Sequence, residues 1–286
     1  MPPLLVLLRP HQWVKNAFVV APLFFTPGML TPHNLLQVGL GFVSFCLLAS
    51  AVYVLNDSMD RAADRLHPEK RLRPLAAGTV SPAQAVLLLL LLGAGGLALA
   101  VALGRGFLEI ALLYLVLNIA YSIWLKQVSI VDVMLVATGY VLRIYAGAAL
   151  IGVTASVWII VCAGLVSLFI ALAKRRDDVV RALGSEHRSA LAGYTKPFLD
   201  AAIGIVLGGL VVSYIIYTTD QSVMQRFGTE RLYLTTPFVI MGVLRYLQIA
   251  LVEERSGSPT TIVLTDRFLI LCVLGWIACF AALIYA

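Results

Sequence analysis

Long apolar runs, separated by short polar segments, extend through almost the whole chain. An apolar run of about 20 residues is long enough for a helix to cross the hydrocarbon core of a bilayer. The pattern predicts an all-α polytopic membrane protein with nine transmembrane helices, at 14–30, 35–56, 82–103, 106–124, 129–151, 155–173, 198–218, 233–252 and 267–286.

The first of these segments, 14–30, is more polar than the others. Lys15 and Asn16 stand at its start, and Pro22 and Pro27 interrupt the hydrogen bonding of any regular helix through it. A kinked helix and a partly interfacial segment both remain open. Because no stretch of the chain resembles a linker, we expect residues 1–286 to form a single domain.

Composition supports the membrane assignment. The chain is 60% hydrophobic and 13% charged, with a mean hydropathy of +0.94, whereas soluble domains carry about 25% charged residues. Prolines near the start and the lack of a cleavage site argue against a secretory signal peptide. The cysteines lie in apolar runs without metal-ligand spacing, so we expect neither a disulfide framework nor a metal site from Cys46, Cys162, Cys272 and Cys279.

The loop charges predict the orientation. If the N-terminus is cytosolic, most Lys and Arg residues fall on the cytosolic side, and only Arg105, Arg226 and Arg231 lie opposite. The positive-inside rule therefore places the N-terminus inside and, with nine helices, the C-terminus outside. The net charge of +6 fits anionic headgroups or phosphorylated substrates. Nucleic acid is not an expected partner, because the basic residues sit in short loops between spans.

An acidic motif, NDSMDRAAD, occupies residues 56–64 directly after the second apolar run. If the helix continues, Asp57, Asp60 and Asp64 lie on one face, at i, i+3 and i+7. Such a stripe needs a cation, and Mg²⁺ takes one or two protein carboxylates together with water and substrate phosphates. The alternative is a solvated helix end in which the neighbouring arginines, Arg61 and Arg65, pair with the acids.

Basic residues on the same predicted side are suited to the remaining oxygens of a magnesium pyrophosphate; they are Lys70, Arg73, Lys126, Lys174 and Arg175. Arg143 differs because it lies inside the fifth apolar segment, where a charge usually faces the bundle interior or a wet cavity. Pairing with Asp132 or snorkelling would also explain it. The role of Arg245, in the eighth segment, stays open.

Two other patterns do not point to a site. The histidines are scattered without ligand spacing, so a zinc site is not expected from His11, His33, His67 and His187. The glycine-rich stretch GAGGLALA at 93–100 lies inside an apolar segment, where close helix packing is more common than a phosphate-binding loop.

Five segments together resemble the UbiA superfamily of intramembrane prenyltransferases, in the branch of decaprenyl-phosphate phosphoribosyltransferases. They are LRPHQWVKN at 8–16, NDSMDRAADRLHPEKRLRPLAAG at 56–78, YSIWLK at 121–126, VDVMLVATGYVLRIYAGA at 131–148 and LFIALAKRR at 168–176. Typical superfamily members carry a second acidic motif where this chain has Lys174, Arg175 and Arg176, followed by Asp177 and Asp178. Extra cations suit a donor that has a phosphate besides its pyrophosphate.

The resemblance implies a reaction and its participants. It implies transfer of 5-phosphoribosyl from phosphoribosyl pyrophosphate to a polyprenyl phosphate of the decaprenyl type. It also implies a bacterial plasma (inner) membrane, a site facing the cytosol and a role in cell-wall arabinan precursor synthesis. The lipid phosphate is already an anion, so no strong general base is needed. Whether the protein forms a homo-oligomer is left open.

The resemblance also implies roles for residues. Mg²⁺ would be held by Asp57, Asp60 and Asp64, with Asn56 orienting the pyrophosphate. Donor phosphates would be bound by Lys126 with Tyr121, Arg143, Lys174, Arg175 with Asp178, Lys70 and Arg73. Lys15, with Gln12 and Asn16, would meet the donor or the lipid phosphate.

Three other functions are compatible with the sequence. A UbiA-type enzyme could move a prenyl group from a prenyl diphosphate to an aromatic acceptor. A secondary transporter of an anionic metabolite could use Arg143 and Arg245 as midplane ligands. A structural subunit without chemistry would leave the acidic stripe unexplained.

Overall fold

The computed structural model describes residues 2–66, 68, 70–180, 189–254 and 259–285, and these residues contain helices and no β-strand. Eight of the helices are long and apolar enough to cross a membrane: Pro32–Met59, Pro82–Ala102, Arg105–Ile123, Val131–Leu150, Val157–Val180, Lys196–Thr219, Leu232–Val252 and Arg267–Tyr285. The chain is therefore an all-α multi-pass membrane protein, as the apolar pattern predicts.

The chain divides into two compact units, Met1–Ala155 and Ser156–Ala286. The single domain expected from the sequence stays a prediction. In the first unit the α-helices are α1 (Pro3–Leu8), α2 (Ala21–Phe24), α3 (Pro32–Met59), α4 (Arg61–Leu66), α5 (Pro82–Ala102), α6 (Arg105–Ile123) and α7 (Val131–Leu150), with 3-10 helices at Pro10–Val19, Lys70–Leu72 and Leu125–Gln127.

Helix α3 is the centre of the first unit, and α5, α6, α7 and the N-terminal segment pack around it. Small residues allow the closest of these contacts. The Ser44 hydroxyl donates to the Gly96 carbonyl oxygen of α5 at 2.8 Å, and a Cβ on Gly96 would lie 2.6 Å from Leu48 Cδ2. The stretch 93–100 is thus a helix-packing surface, as predicted.

The predicted first span, 14–30, does not form a long helix. Residues Pro10–Val19 form a 3-10 helix, followed by the four-residue helix α2. Arg9 nevertheless contacts Asp57 at the C-terminal end of α3, and the Met29 carbonyl accepts from Asn34 at its N-terminal end. The segment between them therefore follows the length of α3, about 42 Å for 28 residues. The count of nine crossings remains a prediction.

The 3-10 helix Pro10–Val19 lies against α7 at very short range. A Cβ on Gly147 would lie 2.0 Å from the Val19 carbonyl oxygen and 3.1 Å from Pro22 Cδ. Only glycine admits the backbone this close. The extended N-terminal segment is thus packed into the first unit as part of its core, with Val19 fully buried.

The second unit contains α8 (Val157–Val180), α9 (Lys196–Thr219), α10 (Gln221–Phe227), α11 (Thr236–Leu247), α12 (Pro259–Thr265) and α13 (Arg267–Tyr285), with 3-10 helices at Ser189–Gly193 and Leu232–Thr235 and a π-helix at Gln248–Val252. Helix α8 packs on α9, and α11 packs on α13. A buried polar chain joins three elements, because Trp276 donates to the Tyr214 hydroxyl, which is hydrogen-bonded to Thr235.

Candidate active site

The acidic motif lies at a break between two helices. Helix α3 ends at Met59, and α4 begins at Arg61, so Asp60 is the junction. Backbone hydrogen bonds continue across it, from Asp60 N to the Asn56 carbonyl and from Asp64 N to the Asp60 carbonyl. The three acids therefore do not lie on one regular helix, because the backbone at Asp60, with φ −85° and ψ 1°, departs from α-helical values.

Asp57 and Asp64 are buried and share one cation. The Arg73 Nη1 lies 3.1 Å from Asp57 Oδ1 and 2.7 Å from Asp64 Oδ2. Arg9 contributes a second charge to Asp57, with its Nη2 2.6 Å from the same Oδ1. The side chains of Asp57 and Asp64 are only 3% and 5% exposed, so these pairs are largely shielded from water.

Asp60 pairs with a different cation. The Lys126 Nζ, in the 3-10 helix that follows α6, lies 2.6 Å from Asp60 Oδ1. The Lys126 side chain is 13% exposed and that of Asp60 is 35% exposed. The sequence separation of 66 residues shows that the tertiary fold, not the local helix, forms this pair.

The arginines inside the motif do not neutralise it. Arg61 Nε donates to the Leu75 carbonyl and Arg65 Nε to the Ala76 carbonyl, both at 3.2 Å. The alternative, in which Arg61 and Arg65 pair with the acids, is therefore wrong, because both residues donate to backbone carbonyls instead. They instead tie α4 to the chain that follows it, which carries Arg73.

The oxygen donors of the motif fit a hard divalent cation in part. Oxygens of Asp57 and Asp64 lie within 3.1 Å of one Arg73 nitrogen, so the two carboxylates are close enough to serve a single cation. Mg²⁺ commonly takes one or two carboxylates and completes its shell with water and phosphates. Across the described ranges, no three acidic, histidine or cysteine side chains converge as a ready metal site. The participation of Asp60 stays a prediction.

Arg9 also belongs to this cluster, although the sequence pattern did not predict a functional role for it. It adopts a left-handed backbone, with φ 50° and ψ 57°, at the end of α1. Its guanidinium also lies over the Tyr53 ring, 5.0 Å from the centroid. A positive φ is uncommon for a residue other than glycine and often marks a functional constraint. The sequence feature that could have indicated a role for Arg9 is its position within the LRPHQWVKN segment.

One stripe of α3 holds the N-terminal segment in place. Besides the Arg9 contacts, Trp13 Nε1 donates to the Ser50 hydroxyl at 3.1 Å, and Ser50 donates to the Leu8 carbonyl at 2.9 Å. Further along α3, Asn16 donates to Cys46 Sγ. The receiving residues are spaced at helical intervals up to Asp57, so the N-terminal segment and the acidic motif are coupled through a single helix face.

Arg143 lies deep in the first unit and is not part of the acidic cluster. It donates to Asn16 Oδ1 at 2.7 Å, to the Gly139 carbonyl at 2.6 Å and to the Tyr114 hydroxyl at 3.1 Å. Its guanidinium lies over the Phe45 ring at 5.6 Å, and Phe45 is about 18 Å along α3 from Asp57. None of these partners is a carboxylate, so the alternative of pairing with Asp132 is not what the structure shows.

Lys15 stands between these two groups of cations. The Arg143 and Arg9 guanidiniums are both close enough to act electrostatically on the Lys15 ammonium. Its neighbour in the motif, Gln12, is partly buried. The first unit therefore contains a positively charged interior that continues from the acidic motif toward Arg143.

The remaining candidates of the first unit lie on its helix ends. The Asn56 side chain is partly buried, and within the part of the chain described here it has no hydrogen-bond partner. Lys70 is in the 3-10 helix that precedes Arg73. Tyr121 lines a small hollow of about 40 Å³ between α6 and α7, together with Asn118 and Gly139.

The basic tract of the second unit ends helix α8. Arg175 is buried, and its Nη1 lies 2.9 Å from Asp178 Oδ2. Arg176 is also buried; it pairs with Asp200 at 2.5 Å and donates to the Ala250 carbonyl of the π-helix at 2.6 Å. Lys174 is exposed. The tract is therefore ordered by acids of its own unit.

Arg245, whose role the sequence left open, is a structural anchor. Its guanidinium contacts Asp266 at 2.7 Å and Glu253 at 2.7 Å, and it also donates to the Gln248 side chain. These contacts join the end of α11 to the start of α13. A cavity of about 390 Å³ next to them is lined by Arg245, Ile249 and Phe268, among others.

The fold and the cluster together define a class of protein. An all-α multi-pass membrane protein that gathers acids and cations at one end of its central helix has the chemistry to hold a phosphorylated substrate beside a bilayer. The chain belongs to the UbiA prenyltransferase family, whose model matches residues 17–256. It is accordingly a transferase.

Individual relatives agree with this assignment. The chain is 32% identical over 293 residues to the decaprenyl-phosphate phosphoribosyltransferase of Corynebacterium glutamicum, covering 97% of this chain and 85% of that protein. It is 33% identical over 277 residues to the protein of the same name from Mycobacterium tuberculosis, covering 95% and 90%. The solved structure of a UbiA homolog from Archaeoglobus fulgidus, bound to GPP and Mg²⁺, superposes with a TM-score of 0.75 at 22% identity, covering 99% and 100%.

Proposed function

We propose that the protein transfers 5-phosphoribosyl from phosphoribosyl pyrophosphate to a polyprenyl phosphate and releases pyrophosphate. The observation that carries the proposal is the cluster of three acids and three cations at the end of α3, formed by Asp57, Asp60, Asp64, Arg9, Arg73 and Lys126. The names of the relatives at 31–33% identity support transfer of a phosphoribosyl group and the same lipid class.

The cluster suits a donor that carries both a metal-bound diphosphate and a further phosphate. Mg²⁺, when bound, would neutralise the leaving pyrophosphate, and Asp57 and Asp64 are the carboxylates best placed to hold it. Arg73, Arg9 and Lys126 would hold phosphate oxygens through charge-assisted hydrogen bonds. The free amide of Asn56 would orient the same group. Asp60 would add an oxygen ligand directly or through water.

The bond-making step needs little from the protein beyond alignment and charge. A lipid phosphate oxygen attacks C1 of the ribose, and the bond from C1 to the pyrophosphate oxygen breaks. The nucleophile is already an anion, so no side chain has to remove a proton. The chain's cations align the reactants and neutralise the charge that develops on the leaving group.

The remaining predicted ligands keep their proposed roles. Lys15, with Gln12 and Asn16, would meet the donor or the lipid phosphate, and Lys70 and Tyr121 would add to the donor site of the first unit. In the second unit, Lys174 and Arg175 with Asp178 stay predicted ligands of donor phosphates. Arg143, which acts together with Arg9 on Lys15 and on Tyr53, also keeps its proposed role in binding donor phosphates. The site would face the cytosol, which the positive-inside distribution supports, and the membrane would be a bacterial plasma membrane, as the family resemblance implies.

The direct test compares two donors on the purified protein with Mg²⁺ present. Radiolabelled phosphoribosyl pyrophosphate with polyprenyl phosphate should yield a labelled lipid and one pyrophosphate per transfer. Geranyl diphosphate with an aromatic acceptor should yield neither. The reverse result would support prenyl transfer, which the family name and the GPP-bound relative make the second candidate. Pyrophosphate release from neither donor would reject both transferase functions.

The metal assignment predicts the behaviour of single substitutions. Asp57→Asn and Asp60→Asn should each reduce ribosyl transfer by about 100-fold or more, because a metal ligand and a counter-charge are lost together. Asp220→Asn is the matched control, since Asp220 caps the N-terminus of α10 and asparagine caps equally well. Undiminished transfer in both motif variants would contradict the assignment.

A further inference from the structure

The acids of the motif are neutralised by cations from three different parts of the chain. Arg9 comes from the N-terminal segment, Arg73 from the chain after α4, and Lys126 from the chain after α6. Carboxylates as buried as Asp57 and Asp64 require such partners, because an uncompensated buried charge is very costly. The three cations therefore neutralise the acids before any substrate is bound.

Arg73 has the most particular position of the three. One of its nitrogens, Nη1, contacts Asp57 and Asp64 together, at 3.1 Å and 2.7 Å. It thus lies between the two carboxylates and occupies the oxygens, Asp57 Oδ1 and Asp64 Oδ2, that a divalent ion bound by both would use. A guanidinium and a metal ion cannot both occupy that position, so binding of one requires displacement of the other.

We infer that Arg73 is an exchangeable counter-ion: it neutralises Asp57 and Asp64 until a divalent ion takes both carboxylates, and it then binds the diphosphate oxygens that arrive with that ion. This inference rests on the proposed function for the identity of the diphosphate. Arg9, which contacts the same oxygen of Asp57, exchanges in the same way.

The exchange of Arg73 couples the binding of the divalent ion to the binding of the diphosphate. A bare divalent ion must displace the Arg73 guanidinium and leave it without a partner, so the ion alone binds weakly. A diphosphate gives Arg73 a new anionic partner at the moment it is displaced, so the ion and the diphosphate favour each other's binding. The site therefore selects a metal–diphosphate complex over free metal.

The two halves of the exchange predict opposite effects of one substitution. Arg73→Gln frees Asp57 and Asp64 and should raise the affinity for Mn²⁺ alone by about tenfold or more, because a charge-assisted contact no longer competes. The same variant should lower the affinity for radiolabelled pyrophosphate in the presence of Mg²⁺ by a similar factor. A merely structural role for Arg73 would weaken both.

The matched control is Arg65→Gln. It removes the same charge from neighbouring α4, but Arg65 donates to a backbone carbonyl rather than to a carboxylate. Both affinities should stay close to those of the wild type. Arg73→Lys provides a second variant, because lysine keeps the charge but offers one compact ammonium in place of the fork; its Mn²⁺ affinity should lie between those of the wild type and Arg73→Gln.

The measurement uses the full chain in detergent, with free Mn²⁺ followed by electron paramagnetic resonance and bound pyrophosphate by filtration. Mn²⁺ affinity that is unchanged or reduced in Arg73→Gln would overturn the inference, as would tight stoichiometric Mn²⁺ binding by the wild type without pyrophosphate. The wild-type result is decisive even if the variant does not fold. Neither assay uses phosphoribosyl pyrophosphate or lipid, so failure here is distinguishable from failure of the proposed reaction.

Discussion

At the scale of single residues, the chemistry of the candidate site depends on which cation faces which acid. An arginine presents five N–H donors in a planar fork and is weakly hydrated, so it can contact two carboxylates in a confined place. Arg73 does this between Asp57 and Asp64. A lysine offers one compact ammonium, and Lys126 accordingly serves one acid, Asp60, where the site is more open.

Lys126→Met tests the lysine. We expect a rise in the donor KM of about 10- to 100-fold with a smaller change in kcat, because a partly buried charge-assisted contact to a phosphate is lost. Lys196→Met is the matched control, since Lys196 is 48% exposed and lies 3.7 Å from Glu254, an arrangement worth little energy. Equal KM values in the two variants would contradict a role of Lys126 in donor binding.

A second residue prediction concerns stability in acid. Hydrogen bonding from Arg245 holds the pKa of Asp266 below its usual value. The ionised carboxylate therefore stabilises the folded state above a pH of about 3.9, the ordinary value, and this stabilisation is lost as the pH falls through the lowered pKa. Asp266→Asn, which keeps a side chain able to cap α13, should lower the Tm at pH 7, and the difference from wild type should shrink near pH 3. A difference that is independent of pH would contradict the ion-pair explanation.

At the scale of elements, two departures from regular α-helix shape the site. The helix is interrupted at Asp60, which pairs with Lys126, whereas Asp57 and Asp64 share Arg73. The 3-10 helix Pro10–Val19 has a rise of about 2.0 Å per residue, so few residues span much of the depth of α3. This stretched geometry allows a short N-terminal segment to deliver Arg9 to one end of α3 and Asn16 to its middle.

The packing of that 3-10 helix predicts a difference between two glycines. Gly147→Ala should destabilise the protein by about 1–3 kcal/mol, because the new methyl would overlap the Val19 carbonyl. Gly93→Ala is the control: it is also helical, but it has open space around it, so we expect no loss and a gain of up to about 1 kcal/mol from helix propensity. Melting in one detergent measures both. Equal Tm values would show that the N-terminal segment does not pack as described.

At the scale of the whole molecule, the number of membrane crossings determines on which side of the membrane the two chain termini and the acidic motif lie. Arg9 contacts the C-terminal end of α3, so the N-terminus lies at the same end as the acidic motif. If each later apolar helix crosses the membrane once, we expect the C-terminus on the opposite side. The positive-inside distribution predicts the same topology, with the polar segments around the motif in the cytosol.

Reporter fusions in a bacterial host test this topology. Alkaline phosphatase, which is active only outside the cytosol, should be active after Tyr285 and inactive after Gly78. A fluorescent protein at the N-terminus should fold and fluoresce. An expressed but inactive phosphatase fusion after Tyr285 would mean an even number of membrane crossings. That result would contradict a membrane crossing by residues 10–31.

The sequence predicts different parts of the molecule to different degrees. Apolar runs predict the long helices well, because a bilayer requires every backbone group in a span to be satisfied within the helix. For the segment 14–30, hydropathy and its prolines predict a span that is kinked or partly interfacial. The segment forms a 3-10 helix and the short α2, because its prolines and its packing on α7 override helix propensity. The residue types of the motif indicate metal and phosphate chemistry, but they do not show which cation pairs with which acid.

The amino-acid sequence alone therefore determined the membrane class, the helical architecture and the family, since hydropathy and motif spacing are local properties of the chain. Only the tertiary structure decided that Arg9 joins the acidic cluster, that Arg73 bridges Asp57 and Asp64, and that Arg143 faces Asn16 and Tyr114. These contacts join residues as far as 127 positions apart. Their partners are selected by how helices pack and by the cost of a bare charge in an apolar interior, and neither is written in any short stretch of sequence.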